Sequence, residues 1–347
     1  ALEPFAAADI LMPAGKRTLS QWVKFANSLR LRLAIRVSMS APDLARAEVA
    51  KAMDATAGGV LESADETVAV STESGYKNPL GTVNEGWGEV FMGATMESVL
   101  VGYNDPRLIK YYSKAEGGDI KDEKGNLIIA ERNKIAGTYK GVPQGTGVTV
   151  KDENRYRLHS KSTITKQTDA ILMTAAEVWF LRAEAALRGF TSENVKDCYE
   201  KGITVSCQQW GVNVGDYLTS DATPSDYVDA FEAKYDVKAL IKVTPKWDGG
   251  ASPEEQLERI LTQKWIACYP EGYEAWTEQR RTGYPQLFKV FVNNSGGAID
   301  TNIRIRRLPY PSDIQKNNPT QYSALKKALG GEDNGGTRLW WDTGRNF

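Results

Sequence analysis

Histidine is nearly absent from this chain: one residue, His159, in 347. A single histidine excludes every His-pair metal motif and most zinc sites. Any Ser-His or Cys-His chemistry would have to run through His159. Net charge is nearly absent too, with 43 Lys and Arg against 44 Asp and Glu giving a formal −1. A general binder of nucleic acid or of anionic membrane needs a positive excess to displace counterions, so those classes fall away. Cysteine is scarce, only Cys198, Cys207 and Cys268. An odd, scattered set makes no disulfide framework. If Cys198 and Cys207 share a helix, they stand roughly 13 Å apart, beyond bridging distance. Buried free thiols are the expectation. No apolar run reaches the roughly 18–20 residues of a membrane span. Ala1-Leu2-Glu3-Pro4-Phe5 shows no charged region leading into an apolar core, so it does not read as a signal peptide, and the chain lacks an initiating Met. It reads as a mature or truncated piece.

What the chain has is apolar and aromatic material, 41% hydrophobic with 9 Trp and 15 Tyr. That suffices for the core of one large or two ordinary domains. Helical periodicity is clearest over 19–38, where Trp22, Phe25, Ala26, Leu29, Leu33 and Val37 recur at steps of three and four, with Ser20 as the expected cap. A second helix follows Ala41-Pro42-Asp43 and is expected to end at Gly58-Gly59. Over 59–169 the period weakens and Gly, Asn and Pro accumulate, interrupted by a helix expected over 87–101. Long irregular stretches in a compact protein are commonly binding loops. Helices return over 170–188 and 192–210, the latter with a Val195, Cys198, Tyr199, Gly202 and Ile203 stripe. Joined by a short turn, the two form an αα-hairpin of the tetratricopeptide kind. Ser252-Pro253-Glu254-Glu255 opens another helix, with Leu257, Ile260, Leu261, Trp265 and Cys268 as its stripe. A last helix is expected over 319–329. The fold class is therefore mainly α: a tetratricopeptide-like helical-hairpin scaffold with long irregular loops and minor β. The expected organisation is one domain: 1–58 helical, 59–169 a loop-rich binding region, and 170–347 a helical scaffold with C-terminal loops.

Catalytic constellations are hard to find. Glu177 and Glu184 would share a helix face as a carboxylate couple, but Glu184 stands four before Arg188, where a simple ion pair is the better reading. His159, among charged and polar neighbours, reads as a surface or hydrogen-bonded residue. Glycines 141, 145 and 147 lack the Lys-Ser/Thr pair of a phosphate loop and read as a flexible loop, and no GxGxxG follows a strand. The acidic clusters lack EF-hand spacing. Arg304 to Arg307 and Arg280-Arg281 read as a solvated edge or internal ion pairs. No cofactor and no metal is expected. The positive signal is a set of rings in loops: Tyr76, Trp87, Tyr103, Tyr139 and Tyr156, with Asn78, Asn84, Asn104 and Gln144 nearby. Flat rings stack on sugar faces or peptide side chains, and amides serve the polar edges. From this set Tyr76, Asn78, Trp87, Tyr139 and Tyr156 form the expected ligand-binding group.

Thr262-Gln263-Lys264-Trp265-Ile266-Ala267, Pro270-Glu271-Gly272, Glu274-Ala275-Trp276 and Arg280-Arg281-Thr282-Gly283-Tyr284-Pro285 strongly resemble the SusD/RagB family of Bacteroidetes surface lipoproteins. The resemblance continues through Trp22 with Phe25 to Arg32, and through Gly102-Tyr103-Asn104-Asp105-Pro106-Arg107. Met173 with Ala176-Glu177 and Ala183-Glu184-Ala185, Arg306-Arg307-Leu308-Pro309-Tyr310-Pro311 and Trp340-Trp341-Asp342 follow in order. It covers essentially the whole chain. It implies a non-enzymatic, tetratricopeptide-rich protein on the outward face of the outer membrane. Such a protein caps a SusC-like TonB-dependent transporter and holds a glycan, oligosaccharide or peptide for uptake. The family's signal peptide, lipidated N-terminal Cys and first repeats are not in this sequence, so membrane attachment is expected only through an N-terminal lipid outside it, with part of the ligand site missing. The strongest motifs carry over as packing, not as ligand contacts. An α-helical carbohydrate-active enzyme and a cytoplasmic tetratricopeptide scaffold binding peptides are the competing classes.

Overall fold

The computed structural model describes residues 7–147 and 154–347; the Ala1–Phe5 segment read above lies outside them. The described helices are α1 (Leu19–Arg36), α2 (Pro42–Ala52), α3 (Pro79–Thr82), α4 (Ala94–Gly102), α5 (Leu108–Tyr111), α6 (Ala175–Leu187), α7 (Val195–Gln209), α8 (Pro253–Ala267), α9 (Gly272–Thr282), α10 (Ser312–Asn317) and α11 (Pro319–Leu329). Two small antiparallel pairs complete them: β1 (Val68–Val70) with β4 (Ala170–Met173), and β2 (Ile120–Lys121) with β3 (Leu127–Ile129). The chain is mainly helical with minor β, in agreement with its sequence pattern. No helix among the described residues is long and apolar enough to cross a membrane.

Local chemistry sets the helix ends. Ser252 and Glu255 form a reciprocal capping box at the start of α8, with Pro253 at its first position. Thr174, Asn194 and Asn318 cap α6, α7 and α11 through their side chains. Cys198 and Cys207 lie on α7, and all three thiols are buried and free.

Several expectations need correction. The 170–188 helix begins only at Ala175, because Thr174 caps it and the preceding Ala-Ile-Leu-Met pairs with β1. The 87–101 helix exists only from Ala94; a π-turn (Val83–Trp87) and a left-handed Gly88 precede it. The second helix stops at Ala52, and a separate 3₁₀ turn (Ala55–Ala57) leads into Gly58. Thr18, not Ser20, caps α1.

The face of α1 was also misread by periodicity. Its buried positions are Gln21, Asn27, Ser28, Leu31, Ala34 and Ile35, while Leu33 is 54% exposed. Two of the polar members, Asn27 and Ser28, have partners inside. Asn27 donates its amide to the Ala57 and Gly59 carbonyls at 2.8 and 2.9 Å, and the Ser28 hydroxyl accepts from the Leu61 N–H. A polar side chain with its bonds made can face inward at little cost, so the apolar stripe need not mark the buried side.

Arg32 and Arg36 bring α1 onto a buried charge cluster shared by α6, α8 and α9. Arg32 forks onto Glu177, and Arg36 reaches Glu274. Lys264, fully buried on α8, sits 3.0 Å from Glu274, 3.3 Å from Glu278 and 3.8 Å from Glu177. Arg281 holds Glu184 with two bonds of 2.7 Å and also pairs with Glu278; Arg188 adds the expected i,i+4 bond to Glu184 at 2.8 Å. Burial pulls the Lys264 ammonium down, but Glu278, Glu274 and Glu177 more than offset it, leaving it above its ordinary value. Burial likewise pushes Glu278 up, and Arg281 and Lys264 prevail, holding it well below the usual carboxylate range.

Candidate functional site

The loop rings do not act alike once placed. Trp87 closes the π-turn and is 63% exposed. That turn is tied down from beneath. Asn84 donates its amide to the Ser162 and Ile164 carbonyls at 2.7 and 2.8 Å, and Glu85 accepts from the Lys166 N–H at 2.9 Å. A ring held in water on an anchored backbone suits stacking on a ligand, because little order is left to impose on binding. Tyr76 is half-buried just upstream, and Tyr139 is half-buried with its ring packed on the main core.

Asn78 and Tyr156 are different. Asn78 is 4% exposed; its carbonyl oxygen accepts from the Leu80 N–H and its amide donates to the Thr168 carbonyl, both at 3.0 Å. Its side chain is spent, the oxygen on capping α3 and the NH2 on the Thr168 carbonyl. Tyr156 is 2% exposed and clusters with the rings of His159 and Phe231. Neither presents a surface to ligand. Tyr103 is buried as well, its hydroxyl donating to the Val243 carbonyl at 2.6 Å.

The histidine is corrected in the same way. His159 is neither on the surface nor hydrogen-bonded: it is buried, and neither ring nitrogen has a hydrogen-bond partner among the described residues. Burial, aided by the Lys140 charge, pushes its pKa down to about 3. It stays neutral and packs. Glu177 and Glu184 are likewise occupied, by Arg32 and by Arg281 with Arg188, so they are not a free acid/base couple. Among the described residues no group of His, Cys, Asp and Glu could hold a metal ion.

The arginine motifs split. Arg306 pairs with Asp342 and Arg307 with Asp333, whereas Arg304 has no acid partner among the described residues and donates to the carbonyls of Leu287 and Phe288 and to Gln144. Arg281 pairs with Glu278, but Arg280 instead stacks on Trp276 at 3.7 Å and donates to the Arg306 carbonyl.

A concavity of about 770 Å³ lies elsewhere, between the start of α4, α9 and residues 286–305. Trp265, Trp276, Gln279 and Phe288 stand on its wall. A smaller cavity of about 230 Å³ shares Met96, Tyr112, Trp265 and Ala275 with it, and reaches Leu80, Val90 and Phe91 on either side of the Trp87 turn. Sequence reading passed over this region because Trp265 and Trp276 belong to scaffold helices. The signal that was available is the run Val290-Phe291-Val292-Asn293-Asn294, apolar residues and amides in a segment without helical period.

Residues 11–342 match the family described as SusD-like, SusD and RagB outer membrane lipoprotein. No curated protein matches the sequence. Among solved structures, a SusD homologue from Bacteroides vulgatus is 52% identical, with TM-score 0.86, covering 95% of this chain and 64% of its own. A chitin-binding SusD homologue from Flavobacterium johnsoniae is 36% identical, with TM-score 0.87, covering 98% of this chain and 67% of its own. A SusD homologue from Bacteroides thetaiotaomicron is 33% identical, with TM-score 0.84, covering 99% and 69%. The chain thus spans about two thirds of the length of these relatives. The blocks that first carried the resemblance are the ones that build the buried charge cluster, Glu177, Glu184, Lys264, Glu274 and Arg281 among them, and the match extends over nearly the whole sequence. This chain belongs to the SusD-like family of outer-membrane lipoproteins.

Proposed function

We propose that this protein captures oligosaccharides at the outward face of the outer membrane and hands them to a SusC-like TonB-dependent transporter, without cleaving them. The observation that carries the reading is Trp87, a large apolar ring 63% exposed on a turn laced to residues 162–166. Solvent-exposed rings on rigid backbone are what a pyranose face stacks against. Tyr76 and Tyr139 are proposed as neighbouring contacts through their exposed edges. The chitin-binding relative supports a glycan, and places chitooligosaccharides first among ligands to try. A non-enzymatic role is supported by the occupied state of Glu177 and Glu184.

Trp87→Ala is expected to weaken glycan binding about tenfold, near 1.4 kcal/mol, with an unchanged melting temperature, because the ring has little packing to lose. Calorimetry with chitohexaose and a glycan array checks this. Equal affinity, or a collapse in melting temperature, would assign Trp87 to packing instead. The transporter half of the proposal has its own measurement. The protein, pulled from detergent-solubilised native outer membranes, should bring with it a large β-barrel protein, and recovery as a clean monomer counts against it.

A further inference from the structure

The geometry points to a second ligand site, separate from the Trp87 turn: the cavity between α4, α9 and residues 286–305, taking a largely apolar molecule with few hydrogen-bonding groups. Size comes first. About 770 Å³ is far more than a packing defect, since interiors leave few voids larger than a water molecule, and it falls within the range of small-molecule sites.

The wall then selects the ligand. Trp265, Trp276, Phe288, Val290, Val292 and Ile305 supply its apolar lining. Its one charged member, Arg304, has its N–H groups engaged by the Leu287 and Phe288 carbonyls and by Gln144. Asn293 is also spent, donating to the Ile299 carbonyl and the Thr301 hydroxyl and accepting from the Ser295 N–H. The Thr95 hydroxyl accepts from the Phe288 N–H.

Gln279 stands apart. It is 8% exposed, lies on the wall where this cavity adjoins a smaller polar cleft, and its amide makes no hydrogen bond to any described residue. The Trp265 indole N–H, on the same cavity wall, likewise has no protein acceptor among the described residues. Together with the Tyr112 hydroxyl, which also bonds to no described residue, the amide and the indole N–H can serve the polar end of an apolar body. The mostly apolar wall favours an apolar body over a sugar ring. An aryl or short acyl body with a single amine, amide or hydroxyl fits.

The test uses N-phenyl-1-naphthylamine, an uncharged diaryl probe with one N–H, and the protein expressed as its gene encodes it. One equivalent should bind saturably, quenching tryptophan emission from the cavity wall. Ala275→Phe and Val292→Trp, which fill the cavity from the helix and from the loop, should each lower affinity at least tenfold. Two positions guard against one variant failing to fold. Gln279→Leu, which keeps the volume and removes the amide, should lower it several-fold. Trp87→Ala should leave probe affinity unchanged, so failure of glycan binding and failure of this site are read separately. Absence of saturable binding, or equal affinity in both filled variants, overturns the assignment.

Discussion

Arg107→Met is expected to destabilise the protein by about 3–5 kcal/mol, the cost of leaving one buried charge without its partner. Arg107 and Asp105 have no side-chain exposure at all. The guanidinium donates to both Asp105 oxygens at 2.9 and 2.6 Å, to the Ser206 hydroxyl at 3.0 Å and to the Gln263 carbonyl oxygen at 2.9 Å. Tyr217 closes the knot, its hydroxyl donating to Asp105 at 2.7 Å and accepting from Gln263 at 2.8 Å. One side chain thus joins the start of α5 to α7, α8 and the turn that carries Tyr217. Burial works against the Arg107 charge, and Asp105 prevails, holding it well above its ordinary value. Remove the arginine and Asp105 keeps only the Tyr217 hydroxyl and the Arg107 backbone N–H. Urea unfolding reads the loss directly, against a total stability of roughly 5–15 kcal/mol. The double variant Asp105→Leu/Arg107→Met should recover part of it, because no unpaired charge is then left behind. A single variant within about 1 kcal/mol of the parent would show that the pair is not what holds these helices together.

Lys264→Met is the second large effect, with a distinctive pH signature. Each carboxylate around Lys264 retains an arginine after the change: Arg32 for Glu177, Arg36 for Glu274 and Arg281 for Glu278. The expected loss is therefore at the lower end for a broken buried pair, about 3 kcal/mol. Glu274 and Glu278 are held below the ordinary glutamate value of 4.5 by the cations around them. A depressed folded pKa contributes stability that is complete above the unfolded value and drains away as pH falls below it. In the variant those carboxylates lose one cation and their values rise, so less stability is lost on acidification. The gap between parent and variant should narrow as pH falls below 4.5 through the variant's raised carboxylate values, where its native carboxylates protonate before the parent's. Urea midpoints at pH 7, 4 and 3 check this; a gap independent of pH would mean that Lys264 acts through packing alone.

Much of the scaffold is readable from local chemistry. The α8 capping box, the α7 stripe, the α11 limits and the Glu184–Arg188 pair all follow from residues within a turn or two of one another. Periodicity failed where the answer lay far off in the chain. Arg32 turns inward because Glu177 waits 145 positions away, and Arg36 because Glu274 waits 238 away. No helical wheel drawn on α1 contains that information. The 170–173 stretch became a strand because β1 was there to pair with it.

The same division runs through the candidate sites. Scarce histidine, balanced charge and abundant rings pointed from the sequence alone toward capture by aromatic surfaces, and the quoted motifs pointed to the family. Which rings remain available was a tertiary decision. Trp87 and Tyr156 look alike as loop aromatics, yet one is 63% exposed and the other 2%, because Tyr156 found Phe231 and His159 to pack against. The large apolar cavity is a tertiary product as well, its wall drawn from α4, α8, α9 and a loop nearly two hundred residues from the first of them in sequence. Sequence determines which residue types and local turns a chain possesses. Burial depends on which distant segments share the space, and that is settled only when the helices pack.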